Sequence, residues 1–307
     1  MPEFRHVVVG LDLTPGSGAL TTGSRSVLAH VRWLARGTAL RCTLLHSAAA
    51  DEHFDRGERA YRSVPAGGTP QVALEQAVGE LAAAGVKVDL EVTGERAWLA
   101  ITRRVLEAPA DLVIVGKRSE SDPDGPRVGS EVQKLLRECP CAVWVVKPTA
   151  EPPPRCILAA TDLSPVGDQV LERSLHLARR AEAELHVVHA FQLTMEVQMK
   201  GGAAEAEYVR RSTAQASERI RRSLAAIDSA QPADLHVGLV SPTRAVLECV
   251  ERLSPDLVVM GTVSRGGVAG LLVGNTAERL LPRLDTSLLT LKPADFVCPI
   301  EVDDRGA

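Results

Sequence analysis

Short continuous apolar runs recur along this chain. Between them lie longer stretches in which apolar residues return every three or four positions. In the first half the runs fall near 6–11, 40–46, 87–92, 111–116 and 142–147. In the second they fall near 156–161, 185–190, 234–240, 256–260 and 287–291. Runs of this length suit strands buried on both faces of a sheet. The intervening segments VALEQAVGELAAAG (72–85), LAITRRVLEA (99–108), LERSLHLARRAEA (171–183) and ERIRRSLAAI (218–227) carry the helical period. Strands alternating with helices predict an α/β fold, a parallel sheet with right-handed crossovers. In such sheets ligands sit beyond the carboxyl ends of the strands, near the switch point of the topology.

The chain also repeats itself. HVVVGLDLTP (6–15) matches CILAATDLSP (156–165), and TLLHSA (43–48) resembles HVVHAF (186–191). ADLVIVG (110–116) matches PDLVVMG (255–261), and AVWVVKP (142–148) matches SLLTLKP (287–293). Four matches in one order indicate a tandem duplication. EPPP (151–154) marks the join, because three prolines cannot continue a helix or a central strand. The expected domains are 1–150 and 151–307, the second carrying a C-terminal tail. The last strand of each half would be an apolar sheet edge, which invites pairing. The expectation is an internal pseudo-dimer of the two halves, compatible with a further homodimer.

Composition narrows the function classes. Apolar residues make up 45% of the 307, aromatics only 3%, and the net charge is −4. So few rings and no basic excess argue against a nucleic-acid surface. No 18-residue apolar run is present, so no membrane span is expected. The start, MPEFRHVVVGLD, enters a strand-like run directly and lacks a signal-peptide layout. Six scattered cysteines do not suggest a disulfide framework. These points together give an expected cytoplasmic location. Cys139-Pro-Cys141 reads either as buried thiols at a helix-to-strand junction or as a redox or metal pair.

After the fourth strand run of each half comes a glycine-rich loop. The second half reads Gly261-x2-Ser264-x9-Gly274-Asn275, and the first reads Gly116-x2-Ser119-x9-Gly129-Ser130. Each leads into a helical segment, EVQKLLREC or TAERLLPRL. A strand, a loop of small residues and a helix start present free N–H groups and a positive dipole end to an anion. Ser130 and Asn275 are also good N-cap residues, which by itself explains those two positions.

The twice-used spacing, LLRECPCAVWVVKP, GNTAERLL and the tail KPADFVCPIEVDD resemble the universal stress protein family, in its tandem-domain E type. Nucleotide-binding members of that family carry G-x2-G-x9-G-[S/T] at this place. The resemblance implies two tandem doubly wound domains of adenine nucleotide alpha hydrolase-like fold, each a five-stranded parallel sheet with helices on both faces. It implies a cytoplasmic stress-response protein that binds a small ligand, most simply ATP with Mg. In the second half the implied nucleotide-binding residues are Asp162 near the adenine, Ala190 after the second-strand histidine, and Gly261, Ser264, Arg265, Gly267, Gly274, Asn275 and Thr276 around ribose and phosphates. The weaker set in the first half is Asp12, Ser47, Gly116, Ser119, Gly129 and Ser130.

The departures from the pattern favour the second half. Ser replaces the second motif glycine in both loops, and Asn275 replaces the hydroxyl residue. The first loop holds Glu120, Asp122 and Asp124 against Arg127, a balance of −2. A triphosphate would meet like charge there, at about 1–4 kcal/mol per close pair. The second loop has Arg265 and the flexible Gly266 and Gly267.

Asp12 and Asp162 have a plainer reading too, since Asp-Leu-[Ser/Thr]-Pro is helix-start chemistry. His186 and His189, three apart on a strand, face opposite sides and are not expected to share an ion. FQLTMEVQM (191–199) reads as a packing stripe or as one wall of an apolar ligand pocket. No phosphate-binding P-loop, nucleophile elbow or HExxH motif is present. Enzyme activity is therefore expected to be at most slow ATP hydrolysis. The alternatives are a binding module for an amphipathic or lipid-like ligand, a nucleotide switch and a purely structural partner protein.

Overall fold

A computed structural model describes residues 4–49, 54–55, 60–61, 70–117, 129–228, 231–262 and 275–300. The chain divides into two compact units, Pro154–Asp295 and a first unit of Met1–Pro153 together with Phe296–Ala307.

The first unit contains β1 (His6–Leu11), α1 (Thr22–Ala35), β2 (Arg41–Ser47), the two-residue β3 (Phe54–Asp55) and β4 (Ala60–Tyr61), and α2 (Pro70–Ala83). There follow β5 (Lys87–Thr93), α3 (Ala97–Glu107), β6 (Leu112–Gly116), α4 (Ser130–Glu138) and β7 (Ala142–Val146). Its sheet is parallel throughout, in the order β7-β6-β1-β2-β5. Helices α1 and α2 pack on one face, α3 and α4 on the other. Strands covered on both sides must be apolar at every position. Val7, Val8 and Val9, and Leu112, Val113 and Ile114, are accordingly 0% exposed.

The second unit runs β8 (Cys156–Ala160), α5 (Pro165–Ala181), β9 (Glu184–Phe191), α6 (Met195–Lys200), α7 (Gly202–Ile227) and β10 (Asp234–Leu239). It closes with α8 (Pro242–Leu253), β11 (Leu257–Gly261), α9 (Asn275–Leu280) and β12 (Ser287–Leu291). The order β10-β9-β8-β11-β12 repeats that of the first unit, again all parallel. In both units the strand order reverses between the first and fourth large strands. The switch points therefore lie at the carboxyl ends of β1 and β6, and of β8 and β11.

The duplication extends to side-chain devices. Asp111 Oδ2 accepts from the backbone N–H groups of Arg5 (2.6 Å) and His6 (2.9 Å). Asp256 Oδ2 accepts from those of Arg155 (2.7 Å) and Cys156 (3.0 Å). Each carboxylate thus satisfies the donors where the central strand enters its sheet.

The cysteine pair lies at the helix-to-strand junction. Cys139 caps α4, Cys141 precedes β7, and the two sulfurs are 3.7 Å apart. The bond to Cys139, with burial, pushes the Cys141 thiol up. Cys298, which belongs to the first unit, donates from Sγ to the Glu138 carbonyl at 3.2 Å.

Candidate functional site

In the second unit the chain leaves β8 through Thr161 and Asp162 and enters α5 at Pro165. Here the Asp-Leu-Ser-Pro sequence acts as helix-start chemistry. Ser164 is the N-cap, accepting from Gly167 N–H at 3.2 Å, and Pro165 fills the first turn. Asp162 braces this cap. Its Oδ1 accepts from the backbone N–H of Ser164 (3.0 Å) and from the Ser164 hydroxyl (2.5 Å). Thr161 Oγ1 accepts from Leu163 N–H at 3.1 Å, holding Leu163 at φ 60.

Gly167 is what lets the helix close over this loop. A Cβ there would lie 2.5 Å from Thr161 Oγ1 and 2.8 Å from Asp162 Oδ1. From the side, His189 on β9 donates through Nδ1 to the Thr161 carbonyl at 2.9 Å. With one oxygen of Asp162 occupied by Ser164, the other is left over. Asp162 Oδ2 is buried and has no hydrogen-bond partner among the described residues. A buried carboxylate oxygen without a donor is costly, and a ligand N–H is the kind of group that removes the cost.

Gly261 ends β11 beside this loop, since β11 pairs directly with β8. Thr262, the next residue, donates from both N–H (3.0 Å) and Oγ1 (3.2 Å) to the Leu291 carbonyl. Ala190 lies at the far end of β9, opposite Gly238. Asn275 and Thr276 begin α9. Ser264, Arg265, Gly267 and Gly274 lie outside the described residues.

The first unit keeps the plan and changes the details. His46 donates through Nδ1 to the Leu11 carbonyl at 2.8 Å, as His189 does to Thr161. The Asp12-Leu13-Thr14-Pro15 stretch, however, does not start a helix. A bridge between Leu13 and Leu20 and the bond from Thr14 N–H to Ala19 O close a loop there. Helix α1 begins ten residues after Asp12, capped by Thr21, which accepts from Ser24 N–H. Gly16 (φ 80) and Gly18 (φ 64) supply the left-handed backbone this loop needs. Asp12 is exposed, and its backbone is tied to the Ser24 hydroxyl.

Ser47 spends its hydroxyl on the Glu95 carbonyl at 2.5 Å. Gly116 ends β6 against α1, where a Cβ would meet backbone atoms of Gly23 at 3.0 Å. Gly129, at φ −60 and ψ 152, is the N-cap of α4, so Ser130 is its first helical residue rather than the cap expected from sequence. Ser119 and the acidic segment 120–124 lie outside the described residues.

Sequence reading named both aspartates and both strand-end glycines, which the structure places at the carboxyl ends of the central strands. It did not name Ser164, Gly167, His46 and His189 as the groups that hold the aspartate loops. The repeated His of TLLHSA and HVVHAF was the available signal.

Residues 3–147 and 154–292 each match the model of the Universal stress protein family. The chain belongs to that family. Universal stress protein E of Escherichia coli K12 is 26% identical over 236 residues, 72% of this chain and 73% of that protein. Universal stress protein E of Photorhabdus laumondii is 26% identical over 234 residues, 71% and 73% of the two chains.

Among solved structures, a Pseudomonas aeruginosa PAO1 protein described as functionally unknown superposes with a TM-score of 0.70 at 23% identity, covering 95% of this chain and 94% of its own. A universal stress protein from Archaeoglobus fulgidus gives 0.62 at 17% identity, covering 94% and 98%. Both support the fold. This universal stress protein thus carries two tandem Usp domains of doubly wound α/β architecture, and its family is one of stress response. No helix among its described residues is long and apolar enough to cross a membrane.

Proposed function

We propose that this universal stress protein binds an adenine nucleotide, ATP being the simplest, at the switch point of its second domain. The observation that carries the reading is Asp162 Oδ2, a buried acceptor with no donor at the carboxyl end of β8. The exocyclic amino group of adenine is a donor of the right kind. Ser164 and His189 would keep the carboxylate aimed while it binds, and Gly261 would let the base or ribose approach the backbone of β11. Ala190 would line the adenine side. Ser264, Arg265, Gly267, Gly274, Asn275 and Thr276 would hold ribose and phosphates, with Mg among the phosphates when ATP is bound. The first domain, with Asp12 exposed and Ser47 committed to Glu95, would bind more weakly or serve structure. No catalytic group is assigned to this site, and hydrolysis of bound ATP would at most be slow.

The test compares ATP with ITP, in which a 6-oxo group and an N1–H replace the 6-amino group and the N1 lone pair. ATP should bind best. ITP, whose oxygen would face the Asp162 oxygen, should lose at least about 10-fold, because two acceptors would be buried against each other. Equal affinity for the two would remove Asp162 as the reader of the base.

A second reading has its own observation. Met195 and Met199 of α6 are 77% and 83% exposed, just beyond the end of β9, where the Phe191 and Tyr208 rings meet edge-on at 6.2 Å. An amphipathic ligand would find an adaptable apolar wall there. Native mass spectrometry showing a co-purified lipid-like mass in place of nucleotide would favour it.

A further inference from the structure

At the opposite end of the second sheet, where strands enter, side chains able to ligate a metal gather. Cys156 is the first residue of β8 and pairs in register with Glu184, the first of β9. Two residues on, His186 pairs with Asp234, the first of β10. Paired positions share a face of a sheet, as do positions two apart. Cys156, Glu184, His186, Asp234 and His236 therefore stand on one face. One ligand atom each from Cys156, Glu184 and His186 all lie within 4.8 Å of one another. His186 Nε2 is 3.8 Å from Glu184 Oε2, and His186 Nδ1 is 3.8 Å from Asp234 Oδ2. The imidazole is buried while both carboxylates are open to solvent.

The first domain provides an internal control. The same sheet positions there hold His6, Arg41, Thr43, Asp89 and Glu91. That set satisfies itself: Arg41 Nη2 pairs with Asp89 Oδ2 at 3.0 Å, and His6 Nε2 bonds Thr43 Oγ1 at 3.0 Å. In the second domain the arginine has become Glu184, the threonine His186 and the first histidine Cys156. The Arg41 position no longer carries a cation, and thiol, imidazole and carboxylate stand together on this face.

We propose that this cluster is a binding site for a divalent transition cation of the zinc class, held by Cys156 Sγ, an imidazole nitrogen of His186 and the Glu184 carboxylate. Sulfur, nitrogen and oxygen donors together select zinc-like ions over magnesium or calcium. Ligand atoms around tetrahedral zinc lie roughly 3.3–3.7 Å apart, so side-chain rotations closing about 1 Å assemble the site. On binding, the Cys156 proton passes to solvent, because the thiolate is the ligand. With the cation on the Nε2 side of His186, beside Glu184, and Asp234 and His236 on the Nδ1 side, water completes the fourth position.

Arg252 opposes the cation. Its Nη2, which can only donate, is 3.0 Å from His236 Nδ1. That places the ring hydrogen of His236 on Nε2, facing His186 Nδ1 at 3.2 Å. The hydrogen of a neutral His186 then falls on Nε2, toward Glu184. A cation that takes Nε2 must displace it, and the chain of imidazoles must reverse and release Arg252. The guanidinium therefore competes through tautomer as well as charge.

The test titrates Co2+ into the reduced, chelator-treated full-length protein and then displaces it with Zn2+. The expected result is one cobalt per chain with a near-ultraviolet thiolate-to-cobalt charge-transfer band. The band should vanish in Cys156→Ser and in Glu184→Arg, which installs the first domain's residue on an exposed side chain and should leave the thermal unfolding of the metal-free protein unchanged. Arg252→Gln should tighten binding several-fold. No band in the wild type would overturn the proposal. So would a band that survives Cys156→Ser, or one that disappears only in the Cys139→Ser/Cys141→Ser double variant.

Discussion

Gly116→Ala isolates a packing role inside a motif usually credited to ligand binding. Gly116 closes β6 where α1 crosses the sheet. A Cβ there would lie 3.0 Å from both the carbonyl carbon and Cα of Gly23, and 3.3 Å from its oxygen. Carbon atoms pack best at about 3.5–4.0 Å, so strand and helix must part by roughly 0.5–1 Å. Both contacting atoms are backbone, and no rotamer can relieve the clash. Overpacking of this kind costs about 1–3 kcal/mol. At roughly 2–4 °C per kcal/mol for a domain of this size, the melting midpoint should fall by about 2–12 °C.

Gly23→Ala probes the same contact from the other side, with its Cβ 3.1 Å from the Lys117 carbonyl oxygen and 3.4 Å from Gly116 Cα. The double variant should therefore depart from additivity. The assay is thermal and urea unfolding without any nucleotide. An unchanged midpoint for Gly116→Ala would refute the packing argument and return that glycine to ligand approach alone.

Two further predictions concern named side chains. Gly167→Ala should lower both stability and ATP affinity, because its Cβ would enter the Thr161–Asp162 loop at 2.5 and 2.8 Å; unaltered affinity by calorimetry would detach that loop from the site. Burial holds the pKa of His30, which packs edge-on to Trp144, below its ordinary 6.5, against the opposing pull of the Ser26 carbonyl. The unfolded chain therefore binds this proton first. The His30 contribution is intact above pH 6.5 and shrinks as pH falls below it, by at most about 1.4 kcal/mol per pH unit, until the folded value is reached. Urea titrations from pH 7 to pH 5 should show a shallower slope for His30→Gln, and equal slopes would contradict the assignment.

Much of this was legible in the sequence because the physics is local. Strands covered on both faces must be apolar throughout, so LVIVG and LVVMG announced themselves. The duplication doubled every signal. The aspartates after β1 and β8 were visible as ends of apolar runs. What they do was not visible, because it depends on contacts between segments. Ser164 caps α5 in one domain, while the matching threonine leads only into a glycine loop. TPGSGAL, with two glycines in seven residues, carried the hint that α1 starts late. The opposite-facing reading of His186 and His189 matches their separate partners, His236 and the Thr161 carbonyl. The meeting of His186 with His236 across 50 residues required the strand register, which no single-strand pattern contains.

In the proposed site, the buried Asp162 Oδ2 receives the adenine amino group of a nucleotide bound by the second domain. The most direct measurement is calorimetric titration of ATP-Mg into the wild type, Asp162→Asn and Asp12→Asn. Asparagine keeps an acceptor for Ser164 but turns a donor toward the adenine amino group. One site per chain, weakened at least about 10-fold by Asp162→Asn and little changed by Asp12→Asn, is the predicted result. Binding that survives Asp162→Asn, or fails in the wild type, would contradict it.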